Sequence, residues 1–242
     1  MSGWWQDISA WAVANPILSV ETLDIYWQGL VHTVQLVFAS LVIGLLMAVP
    51  LAVLRGSGRW WINAPVWVFT YVFRGTPLLI QLYLVYYGFA FIPGVQDTWL
   101  WFFLEDAIYP ALFAFTLNTA AYTTEIFHGA IRSTARGEIE AARAYGMSPW
   151  TTYRRVVLPG AFRRALPAYG NEVIFMLHAS SIASVVTIMD LTGAASLIYS
   201  RFYAPFTAFM LVALIYMALS FAIQGLFRSL EKRLLRHLAS DR

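Results

Sequence analysis

Five stretches of this chain are long and apolar enough to be read as membrane-crossing helices, and nearly all of its charges fall between them. A spanning helix needs about 20 consecutive, mostly apolar residues. The stretches run from about Tyr26 to Leu54, Trp60 to Ile92, Tyr109 to Ile131, Leu166 to Ile188 and Pro205 to Phe227. The second is interrupted by Arg74-Gly75-Thr76-Pro77. Only 12% of the residues are charged, against about 25% in a soluble domain, too few to clothe a water-facing surface. The expected fold class is therefore an all-α integral membrane protein with about five transmembrane helices. The chain has no cysteine, which excludes disulfides and thiolate metal sites. No basic stretch precedes the first apolar core, so no cleavable signal peptide is expected.

Loop charges set the expected orientation, because Arg and Lys accumulate on the cytoplasmic side. The N-terminal tail carries Asp7, Glu21 and Asp24 and no base, and the first loop carries Arg55 and Arg59. The second loop has Asp97, Glu105 and Asp106, the third seven Arg, and the fourth only Arg201. The C-terminal end holds Arg228, Lys232, Arg233, Arg236 and Arg242. The alternation predicts the N-terminus outside and the C-terminus inside. The corresponding organisation is an outer segment 1–25, a transmembrane domain 26–235 with a cytoplasmic loop 132–165, and a cytoplasmic tail 236–242. Trp4, Trp5, Trp11, Trp27, Trp99 and Trp101 flank the spans on the outer side and read as interfacial anchors.

The 132–165 loop is too polar for membrane and too short for a domain. Glu138 to Tyr145 favours helix, and Gly146 stands where a left-handed C-cap belongs. Ser148-Pro149 opens a second helix, and Pro159 is expected to limit it. The loop therefore reads as a hairpin of two short helices about a glycine turn.

Within it, Glu140-Ala141-Ala142, Gly146, and Val156-x-Leu158-Pro159 resemble the EAA motif of membrane subunits of bacterial ATP-binding-cassette (ABC) importers. Arg74-Gly75-Thr76-Pro77-Leu78, Asn118 to Glu125, and Pro167 to Glu172 are similar to segments of the polar-amino-acid branch. The likeness is greatest to M-type permeases of histidine and arginine/ornithine importers, with octopine permeases next. The resemblance implies the type I importer permease fold in a bacterial inner membrane. It also implies two ATP-binding subunits, a second homologous permease and a periplasmic substrate-binding protein as partners, beside membrane lipid; no nucleic acid is expected. Glu140, Ala141, Ala142, Gly146, Leu158 and Pro159 would form the contact with the ATPase. No Gly-x-x-x-x-Gly-Lys-Ser/Thr phosphate loop occurs in the sequence. No cofactor is expected in this chain, ATP and Mg being bound by the partner ATPase, and no catalytic residues are expected.

Ionisable residues within spans are costly and mark function. Asn118, Glu125 and Arg132 fall seven apart on one helical face with Tyr122. Glu125 either lines the pore or pairs with a base to hold helices together. Glu172, Met176 and Ala179 share a face of the fourth span, with Ser181 close by. These residues and Thr76 form the expected substrate pathway. Where relatives read Leu-Lys-Asp/Glu-Ser-Ser, this chain has Leu177-His178-Ala179-Ser180-Ser181. Loss of that Lys favours a cationic substrate: histidine, arginine, lysine or ornithine. Glutamine-like neutral amino acids and opines are the alternatives. His178 either meets the pathway or makes an interhelical hydrogen bond, Asp190 draws cations or caps a turn, and Arg74 gates or reaches headgroups. No metal site is visible. A proton-coupled secondary transporter using Glu125, Glu172 and His178 is the rival class, but no inverted repeat accompanies it.

Overall fold

A computed structural model of the chain describes Ile17 and residues 19–234. Trp4, Trp5, Trp11, Asp7 and the tail 236–242 lie outside the described residues, as does most of segment 1–25. Among the described residues every regular element is helical.

Helix α1, Val20–Arg55, is capped by Ser19, whose hydroxyl accepts from the Thr22 amide. Helices α2, Trp60–Gly75, and α3, Leu78–Tyr83, are the two halves of the interrupted segment, and a π turn, Leu84–Gly88, extends α3. The axis bends by 104° between α2 and α3 with its π turn. After a loop holding the short α4, Trp101–Leu104, come α5, Ile108–Arg132, and α6, Arg136–Ala144. Helix α7, Pro149–Thr152, passes through a π turn, Tyr153–Val157, into α8, Leu158–Ala179. A 3-10 stretch, Ser180–Val186, tightens its end before α9, Leu191–Phe202, and the last helix α10, Pro205–Leu234.

Helices α1 and α10 are individually long and apolar enough to cross a membrane, and each bent pair, α2 with α3 and α7–α8 with α9, passes as a unit. Helix α5 does not pass, although its 25 residues span about 37 Å at 1.5 Å per residue. The reason is its position. Thr116, Asn118, Thr119, Thr123 and Thr124 are all buried, because α1, α2 and α8 pack around this helix. A helix facing protein on most sides need not be apolar. By contrast Phe38, Leu46, Phe206 and Phe221 on α1 and α10 stay more than 60% exposed, as lipid-facing side chains do.

Three expectations change. Pro159 does not end a helix, and α7 runs on into α8. The π turn just before it widens the coil, which leaves room for the proline ring and removes the need for its missing N–H. Arg74, which with Thr76 and Pro77 is expected from sequence to open the second span after a separate 62–73 helix, lies instead in the last turn of α2, where a cation complements the helix C-terminus. Segment 189–204 is no loop, since twelve of its residues form α9.

Close packing sets the helix positions. A Cβ on Gly29 of α1 would stand 2.8 Å from the Asp190 carbonyl oxygen and 3.0 Å from Ala194 Cβ. Gly29→Val should therefore separate α1 from α9 and cost about 1–3 kcal/mol, the usual range for overpacking. Gly225→Val, where nothing lies within 4 Å, should leave the thermal midpoint of the purified protein nearly unchanged.

Candidate functional site

The break between α2 and α3 opens one wall of a cavity of about 750 Å³. Thr76 is driven out of helical geometry, to φ −116° and ψ 143°, because the residue before a proline is pushed toward extended backbone. The break frees backbone carbonyls that lipid cannot satisfy, and two amides meet them. Gln81 Nε2 donates to Phe73 O (2.7 Å), Thr76 O (3.0 Å) and Thr76 Oγ1 (2.8 Å). Asn118 Nδ2 donates to Phe73 O (3.2 Å) and to Gln81 Oε1 (3.1 Å). The broken strand of backbone is thus fastened to the buried helix α5.

The other walls come from α5 and α8. Arg74 lies with its guanidinium 5.3 Å from the Tyr122 ring centroid, and the Tyr122 hydroxyl donates to Arg74 O at 3.3 Å. Opposite, Glu172, Met176 and Ala179 follow one another along α8, with Asn171 and Phe175 beside them. Glu172 is buried, and its Oε1 accepts from Thr119 Oγ1 at 2.9 Å. Among the lining residues Glu172 is the one acid and Arg74 the one base. The cavity can thus receive a molecule with separated positive and negative groups and a partly apolar body.

Six of the eight expected pathway residues line this cavity: Thr76, Asn118, Tyr122, Glu172, Met176 and Ala179. Glu125 does not. Its Oε1 accepts from Arg55 Nε at 2.9 Å and Thr70 Oγ1 at 2.8 Å, a clamp joining α1, α2 and α5. Ser181 also lies outside, its hydroxyl donating to His178 O at 2.8 Å. The 3-10 stretch has about 3.0 residues per turn, so a face extrapolated at 3.6 drifts beyond Ala179. His178 faces away from the cavity, with Nε2 2.9 Å from Ser220 Oγ on α10. A Lys at that position would not stand in the cavity, so its absence does not by itself change the charge beside Glu172. Asp190 is fully buried and caps α9, accepting from Gly193 N at 2.8 Å. Gln81 was not singled out from sequence. Its signal was a polar residue four positions after the proline that breaks the helix.

The charged loop folds as a hairpin whose first helix, α6, ends in a Schellman turn. Met147 N donates to Ala142 O at 3.1 Å and Gly146 N to Arg143 O at 2.9 Å, with Gly146 at φ +74°. Ala142 is buried against its own chain, whereas Glu140 and Ala141 are exposed. Tyr145 and Trp150 are 87% and 69% exposed, presenting aromatic surface beside Arg154 and Arg155. Leu158 is half-buried and Pro159 exposed at the head of α8. Arg164 ties this region to the end of α5, donating to Ala130 O at 3.2 Å and Thr134 Oγ1 at 2.6 Å.

Comparison with known proteins agrees with this architecture. The family model described as the binding-protein-dependent transport system inner membrane component matches residues 40–236. The histidine/lysine/arginine/ornithine transport system permease protein HisM of Salmonella typhimurium is 46% identical over 233 residues, covering 91% of this chain and 99% of that one. The octopine transport system permease protein OccM of Rhizobium meliloti is 40% identical over 217 residues, covering 90% and 89%. A crystal structure of an amino acid ABC transporter with histidines superposes with a TM-score of 0.78 at 33% identity, covering 88% of this chain and 96% of that one. The MetNI methionine ABC transporter, inward facing, has a TM-score of 0.75 at 20% identity over 89% and 99%, a likeness of fold. These matches, and the helices fitted to lipid, show that the chain belongs to the family of binding-protein-dependent, ABC-type permeases of the bacterial inner membrane and is a multi-pass member of it.

Proposed function

We propose that this chain forms one half of an ATP-driven pore that imports basic amino acids: histidine, arginine, lysine and ornithine. The cavity carries the reading. Its single acid, Glu172, suits the cationic group of such a substrate, Arg74 suits a carboxylate, and Phe175 and Met176 suit the aliphatic or ring stem. The 46% identity to permeases named for histidine, lysine, arginine and ornithine supports the same class over the opines of the 40% relative. A second homologous permease would cover the open side of the cavity, and a periplasmic binding protein would deliver substrate. The chain itself is not catalytic, and it carries no cofactor. Two ATP-binding subunits, with their ATP and Mg, would dock on the hairpin around Glu140, Ala141, Ala142, Gly146, Leu158 and Pro159. The alternating loop charges support five spans with the N-terminus periplasmic and the hairpin cytoplasmic.

Glu172→Gln keeps size and most hydrogen bonding while removing the charge. Loss of one charge-assisted contact is worth about 1.5–3 kcal/mol, so uptake of arginine or histidine by the reconstituted complex should fall at least about tenfold. Assembly and ATP hydrolysis should persist. Import of basic amino acids at the wild-type rate would make Glu172 a structural acid.

Gly146 offers the test of coupling. A Cβ there meets nothing within 4 Å, so the constraint is conformational: a β-branched residue resists positive φ. Gly146→Val should reduce co-purification of the ATPase subunits without blocking membrane insertion, and Gly146→Asn, which tolerates that conformation, should restore much of it. ATPase binding that survives Gly146→Val combined with Glu140→Lys overturns the docking role.

A further inference from the structure

A second recess, apolar and of about 470 Å³, lies against the central helix away from the substrate cavity. Met47 of α1, Val85 of the π turn, Phe103 of α4, and Phe113 and Leu117 of α5 line it. On α5 the substrate cavity is lined by Asn118, Tyr122 and Ile126. At about 3.6 residues per turn, Phe113, Thr116 and Leu117 centre on the opposite side of the helix from those three. A subunit that closes the substrate cavity therefore approaches α5 from the other side.

Depth and lining fit one hydrocarbon chain. On α5 the lining runs from Tyr109 to Leu117, a rise of about 12 Å, against about 15 Å for the hydrocarbon of one leaflet. Leu46, Leu84 and Phe102, each next in sequence to a lining residue, are more than 60% exposed, so the recess borders lipid-facing surface. Tyr109 and Thr116 carry its only side-chain hydroxyls, and Thr116 Oγ1 is buried without a hydrogen-bond partner. A water molecule needs two to four polar partners, and an apolar recess stays dry. Left empty, its walls would forfeit dispersion contacts. Inside a bilayer the group at hand to fill it is an acyl chain.

Charge selects the headgroup. The apolar recess adjoins a polar one of about 760 Å³, because consecutive residues line the two: Val85 and Tyr86, Leu104 and Glu105, Tyr109 and Ile108. Glu105 and Asp106 border the polar recess and are exposed. Asp97 is exposed in the same loop, and no Arg or Lys occurs from 75 to 131. Acids with no base among them repel an anionic headgroup and attract an ammonium.

We propose that the apolar recess holds one acyl chain of a zwitterionic phospholipid, whose ammonium group lies beside Glu105 and Asp106. The inference rests on the residence of the chain in a membrane and not on what it imports. The test uses the complete complex in vesicles of equal parts phosphatidylethanolamine and phosphatidylglycerol. Each sample carries a trace of one of the two lipids with a photoreactive acyl chain, and labelled residues are mapped by peptide mass spectrometry. Labelling at Met47, Phe103 and Leu117 should exceed that at the lipid-facing Phe206 and Phe221 of α10 several-fold. In the recess phosphatidylethanolamine should outlabel phosphatidylglycerol about fivefold, the effect of one surface charge on a lipid headgroup. Leu117→Trp should fill the recess and lower its labelling several-fold while labelling of α10 stays the same. Asp97→Lys with Glu105→Lys, both at exposed positions, should reverse the headgroup preference, and this variant carries the test if Leu117→Trp fails to assemble. Equal labelling of the recess and α10, or recess labelling indifferent to Leu117→Trp, overturns the site and leaves bulk lipid only. A recess that stays unlabelled, or that cross-links to another subunit, overturns it in favour of a protein partner. A recess labelled above α10 with no headgroup preference, or with a preference that survives the two lysines, overturns the zwitterionic headgroup.

Discussion

A helix that breaks inside a membrane must find partners for the carbonyls it releases, and the arrangement of this site follows from that requirement. At Phe73 and Thr76 the released carbonyls are taken up by Gln81 and Asn118. Water could do the same at a protein surface, but the hydrocarbon core supplies none. Gln81 and Asn118 must also bond one another, at 3.1 Å, so the fragment after the break is held at a fixed height on α5. That height places Thr76 and Arg74 in the same cavity as Glu172. The break opens the space, and its repair sets the geometry of the space.

The same constraint explains the central helix. Its threonines and Asn118 are buried because it serves as the post on which the other spans are hung. Interhelical contacts in a membrane draw on small residues and on hydrogen bonds rather than on apolar burial. Gly44 of α1 fits over Thr119 so closely that a Cβ there would lie 2.5 Å from its methyl group. Glu125 sits on the same helix but reaches Arg55 and Thr70. It ties α2 to α1 and to the central helix and does not itself line the cavity.

Much of this was legible in the residues. Apolar runs locate α1 and α10, and spacing along α8 places Glu172, Met176 and Ala179 on one wall. Gly146 was legible as a left-handed cap because the residues before it favour helix. Other features were not, for identifiable reasons. Glu125 falls on the same seven-residue repeat as Asn118, and periodicity cannot reveal that Arg55, seventy positions earlier in the chain, stands beside it. Ser181 was misplaced because a change of helical pitch leaves no mark in spacing. Pro159 looked like a stop because a π turn, which can absorb a proline, has no compositional signature. Helix α9 was hidden because a packed outer helix resembles an ordinary loop of mixed polarity.

Helix α5 also bears on how the protein is made. A segment enters the bilayer from the insertion machinery according to its own apolarity, and a charged residue near its centre weighs against entry by about 2.5–3.5 kcal/mol. With Asn118 and Glu125 within it, α5 falls short of the apolarity that α1 and α10 reach alone. Its stable residence in lipid depends on neighbours that accept its polar groups, and one of them, Thr119's partner Glu172, is synthesised some fifty residues later. The post of the bundle is therefore among the last elements to become secure, and a chain cut short before α8 would lack the partner that holds it there.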